Sequence, residues 1–167
     1  MSHQPTAWPD DKEKLYQLLT QQTAALVEGC PLPLPALSNA AALLWEAMDN
    51  INWVGFYLAK GDTLYLGPFQ GKVACTVIPC GRGVCGTAAA SREIQVVEDV
   101  HQFPGHIACD SASNSEIVLP LIVQDTLVGV LDIDSPSLRR FTRQDAEGLS
   151  ALCQVLTEQV DWSHGLL

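Results

Sequence analysis

Positive charge is what this sequence has least of. Its 167 residues carry nine Lys and Arg against nineteen Asp and Glu, a formal net charge of −10. Nucleic acid and anionic membrane both bind through Lys and Arg that displace counterions, so a chain this acidic is expected to bind neither. A small molecule or a protein partner is the better ligand class. Long apolar runs are missing too: none approaches the roughly 20 residues of a membrane span. Met1 to Lys14 has neither the basic nor the apolar region of a signal peptide, so the expected location is cytoplasmic. There are no internal repeats and no low-complexity tracts. Charged residues make up only 17% of the chain and apolar residues 47%, so it does not read as disordered and can bury one core without disulfide staples. The expectation is a single domain over residues 11–167 behind a flexible N-terminus of residues 1–10.

The compartment decides how the six cysteines are read. In reducing surroundings Cys30, Cys75, Cys80, Cys85, Cys109 and Cys153 are not a structural disulfide framework but metal ligands, reactive thiols or buried filler. No C-x-x-C pair is present, and the even spacing of Cys75, Cys80 and Cys85 is not a zinc spacing. Free cysteine is often simply buried. Cys109 lies in a loop rich in Gly, Ser, His and Asp, and such loops seldom sit in a core. A thiolate nucleophile with a resolving thiol is therefore the preferred chemistry. His101 and His106 flank that loop, where either could lower a thiol pKa or serve only as a loop residue bonded to backbone.

The elements can be laid out from periodicity. Asp10 to Glu28 reads as a helix with Asp10 and Glu13 as its cap and reciprocal partner, and Gly29 ends it. A second helix runs to about Met48. Strands are expected at Asn52–Ala59, Thr63–Gly67, Val73–Ile78 and Ile94–Val97, with a turn at Gly81–Gly86 leading into a short alanine-rich helix. Ile117–Val123 and Leu127–Ile133 read as a pair across Gln124-Asp125. A last helix begins near Thr142, with Asp145 three residues on and Leu149, Leu152, Leu156 and Val160 on its apolar face. Two helices, a run of strands and a final helix indicate an α+β domain with an antiparallel sheet.

Alternation along the strands brings further side chains together. Asp132 and Asp134 share one face of their strand while Leu131 and Ile133 share the other. Two carboxylates on an apolar strand are costly unless solvated or bound to a cation; a solvated strand end is the plainer alternative. Pairing with the preceding strand could add Glu116. Three clustered carboxylates would bind an ammonium group and would raise one member's pKa, making it a proton donor. Trp53 and Tyr57 share a face with Gly55 between them, which is expected to leave open space over the backbone. An aromatic wall suits a sulfonium-like methyl or a thioether, although ordinary core packing is commoner. Gly81-Arg-Gly-Val-Cys-Gly86 lacks the Lys-Ser/Thr of a phosphate loop and is read as a turn holding Cys85.

Six motifs in order, Asn52-Trp-Val-Gly-Phe-Tyr57, Leu66-Gly-Pro-Phe-Gln-Gly71, Gly81-Arg-Gly-Val-Cys-Gly86, Phe103-Pro-Gly-His-Ile-Ala-Cys-Asp110, Ser113-Asn-Ser-Glu116 and Val130-Leu-Asp-Ile-Asp-Ser135, resemble those of the free methionine-(R)-sulfoxide reductases. The resemblance runs from about Leu15 to about Val160. It implies a single GAF domain: a central antiparallel sheet with the N- and C-terminal helices on one face and the ligand pocket on the other. It implies a homodimer that reduces free methionine sulfoxide, with thioredoxin as reductant and no cofactor. Cys109 is then the nucleophile that becomes a sulfenic acid, and Cys75 the main resolving thiol with Cys85 as the alternative. Glu116 would polarise or protonate the sulfoxide oxygen with Asp134 assisting. Asp132 and Asp134 would hold the substrate ammonium, Trp53 would pack on its methyl, Tyr57 would line the same wall, and backbone amides of the Cys109 to Ser115 loop would hold its carboxylate. Cys80 stands where that pattern has an apolar or aromatic residue, and Cys30 and Cys153 fall outside its reactive set. The competing reading is a non-enzymatic GAF sensor of a small molecule or of redox state.

Overall fold

The computed structural model describes residues 7–107 and 111–166. Cys109 and the first six residues of the N-terminal segment therefore lie outside the described residues. The chain runs α1 (Lys12–Val27), α2 (Pro33–Ala47), β1 (Trp53–Lys60), β2 (Thr63–Gly71), β3 (Val77–Pro79), α3 (Gly83–Ser91), β4 (Gln95–Val97), a 3-10 turn (Val100–Gln102), β5 (Ser115–Val123), β6 (Thr126–Ser135) and α4 (Arg143–Gln159). The six strands form one sheet in the order β3-β2-β1-β6-β5-β4, and every pairing is antiparallel. No helix among the described residues is long and apolar enough to cross a membrane.

Period-two alternation divides the sheet into two apolar faces. Val54, Phe56 and Leu58 of β1, Leu119 of β5 and Leu131 and Ile133 of β6 pack beneath α1, α2 and α4, together with Leu19, Leu37, Leu44, Leu152 and Leu156. Trp8, ahead of α1, packs against the same core. The other face carries Trp53 and Tyr57 of β1, Val118 of β5 and Val130 of β6, and α3 packs on it through Val84, Cys85, Ala88 and Ala89, with Val100, Phe103 and Ile107 against the same cluster. Three helices pack on one face and one short helix on the other, where the sheet carries a pocket lined by Trp53, Tyr57 and Glu116.

The terminal helices are locked together by one buried carboxylate. Asp145 is fully buried; it accepts hydrogen bonds from Lys12 Nζ (2.7 Å), Tyr16 Oη (2.6 Å) and the Thr142 N–H (2.8 Å). The last of these closes the N-terminus of α4. Burial alone would raise the Asp145 pKa, but the Lys12, Tyr16 and Thr142 hydrogen bonds outweigh it and hold the carboxyl below its ordinary value. Gly148 leaves room for the same contact: a Cβ there would stand 2.2 Å from the Tyr16 ring.

Three local expectations are corrected. The cap of α1 is Asp11, one residue later than read, and its side chain accepts from the Lys14 N–H at 2.9 Å. Strand β2 does not end at Gly67-Pro68 but runs to Gly71, because β1 offers partners through Trp53 and a register shift between Gly55 and Tyr57 absorbs the irregularity. Chain reversal then takes up the residues after Gly71, so the strand expected at Val73–Ile78 shrinks to the three residues of β3. The β5–β6 turn falls at Gln124-Asp125 as expected. Both residues have positive φ, 48° and 64°, the backbone of a two-residue type I′ hairpin built here without glycine.

Candidate active site

The middle of the sheet brings three carboxylates together. Across β1 and β6, Trp53 pairs with Asp134 and Gly55 with Asp132; across β5 and β6, Glu116 pairs with Asp134 and Val118 with Asp132. Trp53, Asp134 and Glu116 thus form one transverse row, with Asp132 two residues along on the same face. These four side chains and Tyr57 line one pocket beneath α3. Val84 and Cys85 of α3 close one wall of it, and His106, Ile107 and Ser113 line it from either side of residues 108–110. The expectation that pairing would carry Glu116 to the two aspartates is met, and Asp132 is no solvated strand end: it is 5% and Glu116 6% exposed, with Asp134 half-buried beside them.

Burial sets the proton affinities. Glu116 is pushed well above the carboxylate range, first by desolvation and then by the neighbouring Asp132 and Asp134 charges. Asp132 is also raised by burial, against the opposing hydrogen bonds of Glu116, Cys85 and Asp134. Cys85 Sγ lies 3.9 Å from Glu116 Oε2, and burial followed by the Asp132 and Glu116 charges drives its pKa well up. The cluster therefore favours holding a proton, with Glu116 the group raised most clearly, and it favours a cation. Among the described lining residues, only Arg82 and His106 can oppose its negative charge. Burial and His101 hold the pKa of His106 below its ordinary value despite Asp132.

The aromatic wall differs in one respect from the expectation. Gly55 does not leave open space over the backbone. A Cβ at Gly55 would meet the Phe69 Cβ at 2.3 Å and the Trp53 ring at 2.8 Å, so the room is already filled. The glycine lets Trp53 stack on Phe69 (centroids 5.3 Å apart, 15° between planes) and on Tyr57 (5.9 Å, 24°). Trp53 Nε1 donates to the Lys72 carbonyl at 3.1 Å and Tyr57 Oη to the Cys75 carbonyl at 2.9 Å. Burial and the neighbouring Asp132 charge raise the Tyr57 pKa strongly, so its hydroxyl remains a donor.

The cysteines separate by environment. Cys75 is disulfide-bonded and half-buried, while Cys30, Cys80, Cys85 and Cys153 are free thiols. Burial pushes the Cys153 thiol up to about 12, in keeping with the inert role expected of it. Cys80 lies on the turn before α3, its N–H donating to the Asp62 carbonyl at 2.9 Å. The segment following residues 108–110 is tied to the sheet: Asn52 Nδ2 donates to Ser113 Oγ at 3.0 Å, and the Asn114 N–H donates to the Ser135 carbonyl at 2.8 Å. Arg82, Val84 and Ser113 are lining residues that sequence reading did not single out as site residues. Arg82 and Val84 lie inside a quoted motif and Ser113 opens another, so motif membership was the only signal for them.

The GAF domain model matches residues 34–160. The chain is 56% identical over 142 residues to the free methionine-R-sulfoxide reductase of Escherichia coli K12, covering 85% of this chain and 86% of that one. Among solved structures it is similar to the Neisseria meningitidis free methionine-R-sulfoxide reductase in complex with its substrate, with a TM-score of 0.90 at 44% identity over 95% of each chain. It is similar also to the fRMsr of Staphylococcus aureus in complex with substrate, with a TM-score of 0.84 at 50% identity over 93% of this chain and 99% of that one.

Proposed function

The chain belongs to the free methionine-R-sulfoxide reductase family of GAF-domain proteins, and from that premise we propose that it reduces free L-methionine-(R)-S-oxide to methionine. The observation that carries the reading is the convergence of Glu116, Asp132 and Asp134 with Trp53 and Tyr57 on one pocket floor. Asp132 and Asp134 supply the negative charge for the substrate ammonium, and Trp53 and Tyr57 supply the wall for its methyl group. A methionine within a polypeptide has no free ammonium to offer this acidic floor, so the pocket selects the free amino acid.

In this mechanism the Cys109 thiolate attacks the sulfoxide sulfur. Oxide is a poor leaving group, so the oxygen must take a proton, and Glu116 is the donor whose environment favours the acid form, with Asp134 assisting. The substrate sulfur is reduced by two electrons and leaves as the thioether of methionine; Cys109 is oxidised by two and retains the oxygen as a sulfenic acid. A second thiol displaces that oxygen as water and forms a disulfide. Cys75 suits this step better than Cys85. Cys75 is disulfide-bonded in this structure, whereas Cys85 is buried and its thiol is strongly protonated. A dithiol partner of the thioredoxin class reopens the bond by exchange. The cycle belongs in a reducing compartment such as the cytoplasm, and the protein works as a homodimer.

The test is methionine release from free methionine-(R)-sulfoxide with dithiothreitol, comparing wild type with Cys109→Ser and free substrate with a peptide sulfoxide. Turnover of the free amino acid alone, abolished in Cys109→Ser, is expected. Failure of the wild type to turn over would return the chain to the sensor class.

A further inference from the structure

Cys85 is the reactive group that the proposed cycle leaves without a task. It is 5% exposed, it is a free thiol, and α3 aims it at the carboxylates of β5 and β6. One ligand atom each from Cys85, Glu116 and Asp132 lies within 4.8 Å of the other two. Cys85 Sγ and Glu116 Oε2 are 3.9 Å apart; sulfur and oxygen ligands on one tetrahedral zinc ion stand about 3.5 Å apart. Side-chain rotation within the pocket closes that difference. A second observation is independent of the spacing. Asp132 is 95% buried, and its Oδ1 has no hydrogen-bond partner, so this pocket-lining carboxylate keeps a lone pair for a ligand.

We propose that Cys85, Glu116 and Asp132 form a binding site for a thiophilic divalent cation of the zinc and cadmium class. One thiolate, two carboxylate oxygens and an open fourth position toward the pocket match the donor types and number that such ions take in three-ligand protein sites. Calcium and magnesium do not fit, because both require an all-oxygen shell. The ion's two positive charges offset two of the three negative charges of its ligands, leaving the centre with a single negative charge. It occupies the corner assigned above to the substrate ammonium, so metal and substrate exclude each other; this competition rests on the proposed function, whereas the metal site does not. Sequence spacing could not show the site, because its three ligands come from α3, β5 and β6.

Cadmium is the probe, since a cadmium–thiolate bond has its own ultraviolet charge-transfer band. The titration uses the full chain carrying Cys75→Ser and Cys109→Ser, in buffer without thiols, so that neither proposed redox cysteine can be the ligand. The band is expected to saturate at one equivalent of cadmium. Adding Cys85→Ser should remove it, and adding Cys80→Ser should leave it intact. Adding Glu116→Gln, which keeps both the thiol and the shape, should weaken binding at least tenfold. Absence of the band in the starting variant, its persistence with Cys85→Ser, or an unchanged titration with Glu116→Gln would each overturn the site. Free methionine sulfoxide should displace the bound cadmium. A Cys85-dependent band that the substrate leaves untouched would count against the ammonium corner of the functional reading and not against the metal site.

Discussion

Tyr57 donates its phenolic hydrogen to the carbonyl oxygen of Cys75 at 2.9 Å, so a residue on the pocket wall also fixes the backbone of a disulfide-bonded cysteine. Binding surface and redox group are joined by one hydrogen bond. A neutral hydrogen bond of this kind contributes about 1 kcal/mol, or about fivefold in a rate that depends on it. Tyr57→Phe is therefore expected to slow disulfide closure about fivefold while the first turnover of methionine release keeps its rate. Trapping of the sulfenic acid with dimedone should rise in the variant; equal trapping in the two proteins would detach Tyr57 from the resolving step.

Glu116→Gln should act on stability and on rate. The folded pKa of Glu116 is raised by burial and by the neighbouring aspartates, so the folded state binds more protons than the unfolded state above the ordinary Glu value of about 4.3. Stability then falls as pH rises from that value through the folded pKa. The glutamine variant lacks this slope. It should be more stable than wild type at neutral pH, with the gap shrinking toward pH values of about 4 in chemical denaturation. Its turnover should fall at least a hundredfold, the scale of a lost general acid, and should lose the alkaline limb that Glu116 imposes on the wild type.

Gly55→Ala tests the crowding of the aromatic wall. The added Cβ overlaps the Phe69 Cβ, and the strand must shift to receive it. A cost of about 2 kcal/mol is expected from overpacking of this kind. The melting temperature should drop, and the near-ultraviolet circular dichroism of the Trp53–Phe69 stack should change. An unaltered spectrum would mean that the rings are not held as described.

Asp145→Ala would leave Lys12 and Tyr16 without their shared acceptor. Loss of one member of a buried charged network costs about 3 kcal/mol. The wild-type contribution should be present at neutral pH. It should be lost as pH falls below the ordinary Asp value of about 3.9 and through the lower folded pKa. Denaturant midpoints of the two proteins should therefore converge in acid, and parallel curves throughout would reject the assignment.

The β5–β6 turn should accept improvement. Gln124 and Asp125 both hold positive φ, where Asn-Gly is the favoured pair. Replacing them with Asn-Gly should raise stability by about 1 kcal/mol, read as a higher denaturant midpoint with unchanged turnover.

What was legible in the sequence follows from period. Alternation puts Trp53 and Tyr57 on one face of β1 and parts Asp132 and Asp134 from Leu131 and Ile133 on β6, as the sheet does, because a strand allows only two faces. Pairing of adjacent strands then brought Glu116 to the aspartates. Local signals misled where tertiary pairing overrode them. Gly67-Pro68 reads as a strand end, yet β2 continues through it because β1 supplies the partners. Gly55 reads as open space, yet a residue far along the chain, Phe69, fills it. The approach of α3, which sets Cys85 against Glu116, joins residues 31 positions apart, and no spacing rule encodes it.

The carboxylates and the aromatic wall stand on the three central strands, whose ladders tie them into the most constrained part of the sheet. Of the cysteines of the proposed cycle, Cys75 lies outside any strand. Under the proposed function, recognition thus rests on strand ladders and Cys75 on the loop beside them, with the Tyr57–Cys75 hydrogen bond coupling the two. Exchanging the segments around Cys75 and Cys109 would therefore alter the pocket wall as well as the thiols, since Val73, Ala74, His106 and Ile107 line it. Recutting the strand face at Tyr57 would in turn release the backbone of Cys75.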